Sequence, residues 1–223
     1  MADRWLVFGG WAISPRILRS VFREESMYVD SNKLMSLLVN KEALVDNWEK
    51  IIEKEVEHCL SGDVAGIAGW STGAIVACAL AQRLHAEKLV LLSATPSFCR
   101  RKGFRFGWKP GVLQDMREQL YRKDNMVVED FLLRAGVPET FRLTVPCDEQ
   151  TLAAGLSFLE QVNLLPALVK PACRVTVLHG REDNIVPYKA GEVIAEMLGT
   201  KCQAFEGGHA FFAEQCDAVR RLI

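Results

Sequence analysis

Short apolar runs recur along the chain at intervals that suit the strands of one sheet. They are RWLVFGG (4–10), SMYVD (26–30), DVAGIAGW (63–70), EKLVLLSA (87–94), CRVTVLHG (173–180) and KCQAFEGG (201–208). The run at 87–94 has no polar alternation, which is typical of a strand that is covered on both faces of its sheet.

Helical periodicity separates these runs. In residues 41–60 the apolar positions recur at steps of three and four, which predicts an amphipathic helix with a charged outer face. Residues 72–84 and 188–198 are also predicted helices, and the closing segment 210–223 continues the alternation. The alternation of strands and helices along the chain predicts an α/β fold, in which a mostly parallel sheet carries helices on both faces.

One long segment, residues 95–170, interrupts this alternation. It contains helical patterns, such as PGVLQDMREQLYR and MVVEDFLLRAG, and no convincing strand. A helical insertion between two core strands is typical of a lid over a functional site. We therefore predict one domain, residues 1–223, with a helical lid at about 95–170.

Composition narrows the class of protein. The 223 residues, 49% hydrophobic and 25% charged, suit a globular domain, and the net charge of −1 argues against a nucleic-acid partner. The apolar runs are too short to span a bilayer, and we expect neither a signal peptide nor a membrane partner. Seven scattered cysteines without a C-x-x-C pair predict reduced structural thiols rather than disulfides or a metal site. We expect a cytoplasmic monomer.

The sequence GWSTG carries the first chemical signal. Ser71 lies between Gly69 and Gly73, where a predicted strand passes into a predicted helix. This G-x-S-x-G context is typical of a nucleophile elbow, whose tight turn leaves no room for side chains at the glycine positions. The following helix start favours negative charge near the serine. Ser71 is therefore the candidate nucleophile.

A serine nucleophile needs a base and an acid that orients the base. In this architecture both follow the serine in the order acid, then histidine, each in a loop after a later strand. The segment VTVLHGREDNIVP offers Asp183, with Glu182 as the alternative acid. The segment QAFEGGHAFF offers His209. We predict Asp183 and His209 as the catalytic partners of Ser71.

The other histidines have simpler interpretations. We assign His58 to an exposed helical face, His85 to a loop, and His179 to shaping the turn that begins at Gly180.

An oxyanion hole needs two backbone N–H donors. Thr72, directly after the nucleophile, is one candidate, and Trp11, in the loop behind Gly9 and Gly10, is the other. The alternative for the second is a plain glycine turn beside a core tryptophan.

Six segments together resemble the α/β-hydrolase superfamily: GGWAIS, GWSTGA, SATPSF, LSFLEQVNLLPAL, LHGREDNIVP and GGHAFF. The lid segments WKPGVLQDMREQL and LAAGLSFLEQVNLLPAL most resemble the esterases of biotin synthesis that cleave pimeloyl-[acyl-carrier-protein] methyl ester. The resemblance implies hydrolysis of a carboxylic ester to an acid and methanol, without metal or organic cofactor. It also implies a triad of Ser71, Asp183 and His209, with Trp11 and Thr72 as oxyanion donors.

Two features depart from that family. Gly9 and Gly10 stand where relatives usually carry His-Gly, so the support of this loop differs. We also expect this chain to lack the leading hairpin of larger relatives and to begin at the strand that is third in them.

The lid region carries an excess of positive charge. Ten basic and six acidic residues lie between Arg100 and Arg142. A basic lid would steer an acidic acyl carrier protein, with Arg134 and Arg142 as candidate contacts; the alternative is that mixed charges solvate helical faces. Aromatic lid residues are candidates for an acyl tunnel or for lid core: Phe104, Phe106, Trp108, Phe131, Phe141 and Phe158.

Other activities fit the same residues. A general short-chain carboxylesterase or an acyl thioesterase would use the same triad, and a lyase or perhydrolase is a more distant alternative. A binding module of this fold would hold a ligand without turning it over, but it has no need for serine, acid and histidine in this order.

Overall fold

A single parallel sheet organises the molecule. The computed structural model describes residues 4–40, 47–57, 64–122, 126–142 and 147–223. Within these ranges six strands pair in the order β2-β1-β3-β4-β5-β6, each parallel to its neighbours. They are β1 (Trp5–Phe8), β2 (Met27–Val29), β3 (Gly66–Trp70), β4 (Lys88–Leu92), β5 (Arg174–Gly180) and β6 (Cys202–Phe205).

Helices connect these strands. The α-helices are α1 (Ser31–Asn40), α2 (Trp48–Val56), α3 (Thr72–Arg83), α4 (Pro110–Tyr121), α5 (Met126–Arg134), α6 (Glu139–Arg142), α7 (Glu149–Gln161), α8 (Tyr188–Met197) and α9 (Cys216–Arg220). Short 3-10 helices lie at Pro15–Ser20 and Phe211–Ala213. None of the helices in the described ranges is long and apolar enough to cross a membrane.

The six predicted strands are confirmed, each with one to three residues fewer than predicted at one or both ends. The predicted helix at 41–60 contains α2; residues 41–46 and 58–60, and with them His58, lie outside the described residues. The helix α1 was not predicted. The closing segment divides into a 3-10 turn and the short α9 instead of one continuous helix.

Burial explains why the central strands lack polar alternation. Every residue of β1 and β3 is buried, so neither face of these strands meets water. Phe8 pairs with Gly69 at the carboxyl end of the sheet, and Trp70 pairs with Leu92. Because all the strands are parallel, the loops that follow β1, β3, β5 and β6 leave the sheet at the same edge.

Residues 95–170, called the insertion below, lie between β4 and β5. In their described part they hold α4 to α7 and two isolated bridges, and contribute no strand to the sheet. The helix α7 packs against α4 and α1. Phe158 of α7 meets the ring of Trp48 edge-on, with 5.1 Å between ring centroids, so the insertion shares its apolar core with the rest of the molecule.

Candidate active site

Ser71 occupies a sharp turn between β3 and α3. Its φ of 57° and ψ of −119° are rare for an L-residue and mark a strained backbone. A Cβ at position 69 would lie 2.1 Å from the carbonyl oxygen of Gly73, and one at position 73 would lie 2.3 Å from that of Phe8. Only glycine fits at both positions, as the predicted elbow requires.

Asp183 and His209 form a hydrogen-bonded pair. The Nδ1 atom of His209 donates to Oδ2 of Asp183 at 2.7 Å, while Oδ1 accepts from the N–H groups of Ile185 and Val186, each at 2.8 Å. Both members of the pair are buried, whereas Glu182 is exposed, so the carboxylate beside the histidine is Asp183.

Two opposing effects set the charge state of Asp183. Burial by itself raises the pKa of this carboxyl, but the charge of His209 and hydrogen bonds from His179 and His209 outweigh it and hold the pKa well below its usual range. Asp183 is therefore an ionised acceptor near neutral pH.

The second ring nitrogen of His209, Nε2, is buried and has no hydrogen-bond partner among the described residues. Ser71 and His209 are therefore not hydrogen-bonded in this structure, but they share close neighbours. Trp70, which precedes Ser71, donates from Nε1 to the carbonyl oxygen of His209 at 3.0 Å, and the Ser93 hydroxyl donates to the same oxygen at 2.8 Å. The strained elbow and the histidine loop are thus joined at one edge of the sheet.

The two candidate oxyanion donors lie in the loops after β3 and β1. Thr72 is the first residue of α3, so its N–H has no acceptor one helical turn earlier. Trp11 follows the paired glycines in the loop after β1. The N–H groups of Gly9 and Ala12 bond to Val29 and Asn32, whereas no acceptor for the N–H of Trp11 is found in the described part of the chain.

Asn32 holds this loop, and nothing in the sequence predicted it. The side chain is buried; its Oδ1 accepts from the N–H of Ala12 at 2.9 Å, and its Nδ2 lies 3.4 Å from the carbonyl oxygen of Gly10. Asn32 therefore binds the backbone on both sides of Trp11. The two contacts join residues that are 20 and 22 positions apart. A single asparagine after a short strand gives no sequence signal for them.

A small apolar cavity lies beside Trp11. Its volume is about 10 Å³, room for about one water-sized sphere. The ring of Trp11 donates from Nε1 to the carbonyl oxygen of Leu152 at 2.9 Å, which fixes this wall to α7. The cavity is lined by Trp11, Phe98, Trp108, Leu113, Met116, Phe131, Leu156 and Leu159.

His179 lies closer to the chemistry than the sequence predicted. Its Nε2 hydrogen-bonds to the carbonyl oxygen of Val186 at 2.8 Å, which agrees with a role in shaping the turn. The same nitrogen lies 3.1 Å from Oδ2 of Asp183. His85, in contrast, is an exposed loop residue as expected.

The two candidate carrier-protein contacts differ in exposure. Arg134 is exposed and forms an ion pair with Asp130 at 2.9 Å. Arg142 is half-buried and lines a second cavity of about 670 Å³, together with Glu129, Glu139 and residues of α7. Arg134 is therefore more accessible to a partner than Arg142.

Three cysteines of the described ranges are poor candidates for a nucleophile. The six cysteines in the described ranges are unpaired. Burial raises the pKa of Cys78 and Cys147 to about 12 and that of Cys202 to about 11, so these thiols are protonated at neutral pH.

No group of three or more His, Cys, Asp or Glu side chains in the described residues could hold a metal ion.

Known proteins resemble this chain in sequence and in fold. Residues 39–222 match the alpha/beta hydrolase family. The chain belongs to this family. Alpha/beta hydrolases of known structure share its fold: the esterase from Exiguobacterium antarcticum superposes with a TM-score of 0.78 at 18% identity, covering 99% of this chain and 90% of that one. The enol-lactonase from Burkholderia xenovorans LB400 gives a TM-score of 0.76 at 13% identity, over 99% and 90% of the two chains. At such identities the likeness establishes the fold alone, and it confirms the predicted α/β-hydrolase fold.

Sequence relatives of this alpha/beta hydrolase agree with the family resemblance. The pimeloyl-[acyl-carrier protein] methyl ester esterase of Aliivibrio fischeri (strain MJ11) is 31% identical over 166 residues, which cover 67% of this chain and 64% of the relative. The protein of the same name from Vibrio vulnificus (strain YJ016) is 33% identical over 169 residues, covering 67% and 63%. The matched part of the chain thus spans slightly less than two thirds of these relatives.

Proposed function

We propose that this alpha/beta hydrolase is a serine esterase that hydrolyses a carboxylic ester through Ser71, His209 and Asp183. The supporting observation is the hydrogen bond from His209 to an ionised Asp183, which leaves Nε2 of the imidazole without a partner among the described residues. The strained Ser71 lies at the same sheet edge. A buried imidazole that is oriented by a carboxylate and has one free nitrogen is the base that a serine hydroxyl requires.

In the first step, Oγ of Ser71 attacks the ester carbonyl carbon while Nε2 of His209 takes the hydroxyl proton. Asp183 orients the imidazole and stabilises its charged form. The negative charge on the former carbonyl oxygen is stabilised by the N–H groups of Thr72 and Trp11. His209 then gives its proton to the leaving alkoxide, and an alcohol departs.

In the second step, water repeats the chemistry. His209 takes a proton from a water molecule as its oxygen attacks the acyl carbon on Ser71. The second oxyanion collapses, His209 returns the proton to Oγ, and the carboxylic acid leaves. The cycle uses only these side chains, two backbone N–H groups and water.

For the substrate we propose pimeloyl-[acyl-carrier protein] methyl ester, with methanol as the first product. The names of the relatives and the lid segments that resemble them support this choice. The acyl chain would enter beside Trp11. Because the cavity there is only about 10 Å³, the insertion acts as a lid whose apolar side chains move aside when substrate binds.

The insertion also offers a basic surface to an acidic carrier protein. Arg134 is exposed, and the loop before α4 adds four further exposed cations. They are Arg100, Lys102, Arg105 and Lys109. Arg142, being half-buried, would act at the entrance of its own cavity rather than on the open face. Such a surface raises the association rate of an acidic partner, and the effect falls with ionic strength.

The nucleophile is tested with a short p-nitrophenyl ester and the Ser71→Ala variant. Loss of Oγ is expected to lower kcat by at least about 10⁴-fold, because the attacking atom is gone. Ser20→Ala, a change of the same chemistry in the first 3-10 helix, should leave kcat unchanged. Equal activity of Ser71→Ala and the parent would remove Ser71 as the nucleophile. Absence of activity in both, on free and carrier-linked esters alike, would favour a binding module.

The substrate is tested by comparing the methyl ester on carrier protein with free methyl esters and free thioesters of graded length. A preference for the carrier-linked ester that weakens with added salt and with Arg134→Ala or Arg142→Ala supports the proposal. Arg220→Ala is the matched control for Arg134, because Arg220 is also exposed and pairs with Asp217 at 3.0 Å. Indifference to the carrier would indicate a general esterase, and faster turnover of thioesters would indicate a thioesterase.

A further inference from the structure

Two imidazole rings contact one carboxylate. His209 reaches Oδ2 of Asp183 from the loop after β6, at 2.7 Å, and His179 reaches the same oxygen from the end of β5, at 3.1 Å. Both rings are buried, and the His179 side chain is completely inaccessible to solvent. The reaction described above uses one of these histidines and leaves the other without a role.

The neighbours of His179 determine its tautomer. Its Nε2 lies 2.8 Å from the carbonyl oxygen of Val186 and 3.1 Å from the carboxylate oxygen of Asp183. Both neighbours are acceptors, so Nε2 must carry the hydrogen. The nitrogen Nδ1 is then the unprotonated one.

The other ring nitrogen of His179 has no acceptor within the described part of the chain. Nδ1 of His179 is buried and has no hydrogen-bond partner in the described residues. It faces α8 at Gly191, where an added Cβ would lie only 2.3 Å away, so the ring and helix leave no space for water. A proton on Nδ1 would be a buried donor without an acceptor, which is costly.

We propose that His179 is a positioning residue: as a neutral Nε2–H donor, it binds the turn of Val186 and stabilises the charge of Asp183 at the atom that His209 also uses. This inference rests on the proposed function. Sharing Oδ2 weakens the hold of Asp183 on the proton of His209. His179 thereby sets how strongly Asp183 binds the Nδ1–H group of His209.

Other ionisable side chains near His179 lie in α8, in β6 and in the loop after β5. From α8, Tyr188 meets the ring edge-on with 5.9 Å between centroids, and burial raises the pKa of its phenol. From β6, the backbone of Cys202 accepts from the Tyr188 hydroxyl, and burial raises the pKa of the Cys202 thiol to about 11. Arg181 lies over the outer face of Tyr188, 5.6 Å from the ring centroid, and pairs with Glu206 at the surface.

The kinetic test compares two substitutions. His179→Leu removes the donor to Asp183, so Asp183 should hold the proton of His209 more strongly. The acid limb of the pH profile, in which kcat/KM falls as the pH is lowered, should therefore move to higher pH by about half a unit to one unit. At a pH below the limb this equals a loss of roughly three- to tenfold. His179→Gln places an amide N–H near the position of Nε2 and should restore the limb. His85→Gln, the same change in an exposed loop, should not move it.

A purely structural role would give a different result. If His179 only packs, His179→Leu lowers kcat/KM equally at every pH and leaves the limb in place, and the proposal is overturned. A limb that moves equally for the Gln and Leu variants also overturns it, since the donor would then be irrelevant.

A measurement on the unaltered protein keeps the proposal testable if His179→Leu does not fold. Two-bond ¹H–¹⁵N spectra of the protein labelled with ¹⁵N-histidine, recorded between pH 5 and 9, should show His179 as the neutral Nε2–H tautomer throughout. An Nδ1–H tautomer or a titrating His179 would overturn the inference. Because this readout needs no turnover, an inactive protein with the expected spectra would refute the esterase proposal and leave the His179 assignment standing.

Discussion

The Nε1 atom of Trp108 donates a hydrogen bond of 2.6 Å to the carbonyl oxygen of Ile185. The N–H of the same residue, Ile185, donates to Oδ1 of Asp183 at 2.8 Å. One residue of the acid loop therefore holds the candidate catalytic carboxylate through its N–H and the insertion through its carbonyl group. Trp108 also stacks on Phe98, with 12° between the ring planes, so its position is well determined.

Two further loops of the candidate site are bonded to the insertion as well. The ring N–H of Trp11 donates to the carbonyl oxygen of Leu152 at 2.9 Å, and the N–H of Ala210, next to the candidate base, donates to Ala135 at 3.0 Å. The insertion is thus hydrogen-bonded to the loops that carry Trp11, Asp183 and His209.

Trp108→Phe tests this coupling at the acid loop. The smaller ring can still stack on Phe98 but leaves the carbonyl group of Ile185 without its donor, which is expected to cost about 1–2 kcal/mol of unfolding free energy. We also expect kcat to fall, because Asp183 and the insertion lose their common support. Urea unfolding and steady-state kinetics measure the two effects.

Tyr121→Phe is the control for this change, because Tyr121 is an exposed aromatic residue of the same insertion. It should leave stability and kcat unchanged. A Trp108→Phe protein that behaves like this control would contradict the coupling.

Gly69→Ala tests the elbow. The new methyl group would lie 2.1 Å from the backbone of Gly73, so the turn must distort, and we expect a loss of more than about 2 kcal/mol together with most of the activity. Gly111→Ala is the matched control, because nothing lies within 4 Å of a Cβ there. In the first turn of α4 it should be neutral or stabilise by up to about 1 kcal/mol. Similar stability of the two variants would contradict the close packing of the elbow.

Much of this architecture could be predicted because it depends on local patterns. The sequence of β4 is a continuous apolar run because both faces of this strand are covered. The elbow has the sequence G-x-S-x-G because backbone contacts at Gly69 and Gly73 leave no room for a side chain. The loops that carry Asp183 and His209 could be placed because parallel strands bring their carboxyl ends to one edge.

What could not be predicted depends on contacts between distant residues or on short, polar elements. The helix α1 was missed although Leu34, Met35 and Leu38 are spaced for one buried face, because it starts directly after a three-residue strand. His179 has an ordinary strand-end sequence, and its contact with Asp183 exists only once the loop after β5 folds back. No local pattern distinguishes Asn32 from any surface asparagine.

Asn32→Ala tests the support of the oxyanion loop. Without the bond to the N–H of Ala12, the backbone around Trp11 is expected to lose its fixed geometry, and kcat should fall by roughly ten- to a hundredfold with little change in KM. This is less than the loss expected for a missing oxyanion donor, which is on the order of 10²–10³. Steady-state kinetics on a short ester separate kcat from KM.

Asn163→Ala is a suitable comparison, because Asn163 makes a local bond to the N–H of Leu165, within the insertion and at 3.2 Å. It should leave kcat unchanged. If Asn32→Ala raised KM alone, Asn32 would serve substrate binding rather than oxyanion geometry.

Asp183→Asn tests the acid of the proposed triad. The amide preserves the shape of the side chain but presents an N–H where His209 needs an acceptor, so the imidazole is expected to take the wrong tautomer and kcat to fall by about 10⁴-fold. Glu182→Gln, at the exposed neighbouring position, should retain activity. The reverse result would transfer the role to Glu182.

Asp183→Asn also tests how the unfolding free energy depends on pH. Burial raises the pKa of Asp183. The charge of His209 and the hydrogen bonds from His209 and His179 lower it by more than burial raises it, so the folded-state pKa lies below the ordinary value of 3.8. A carboxyl whose pKa is lower in the folded than in the unfolded state stabilises the fold. This stabilisation is complete at pH values above the unfolded-state pKa, and it is lost as the pH falls through the folded-state pKa. The difference in unfolding free energy between the parent and Asp183→Asn should therefore be largest near neutral pH and shrink below about pH 4. Urea titrations at a series of pH values measure this difference, and a difference that stays constant or grows on acidification would show that the ionised carboxylate does not stabilise the fold.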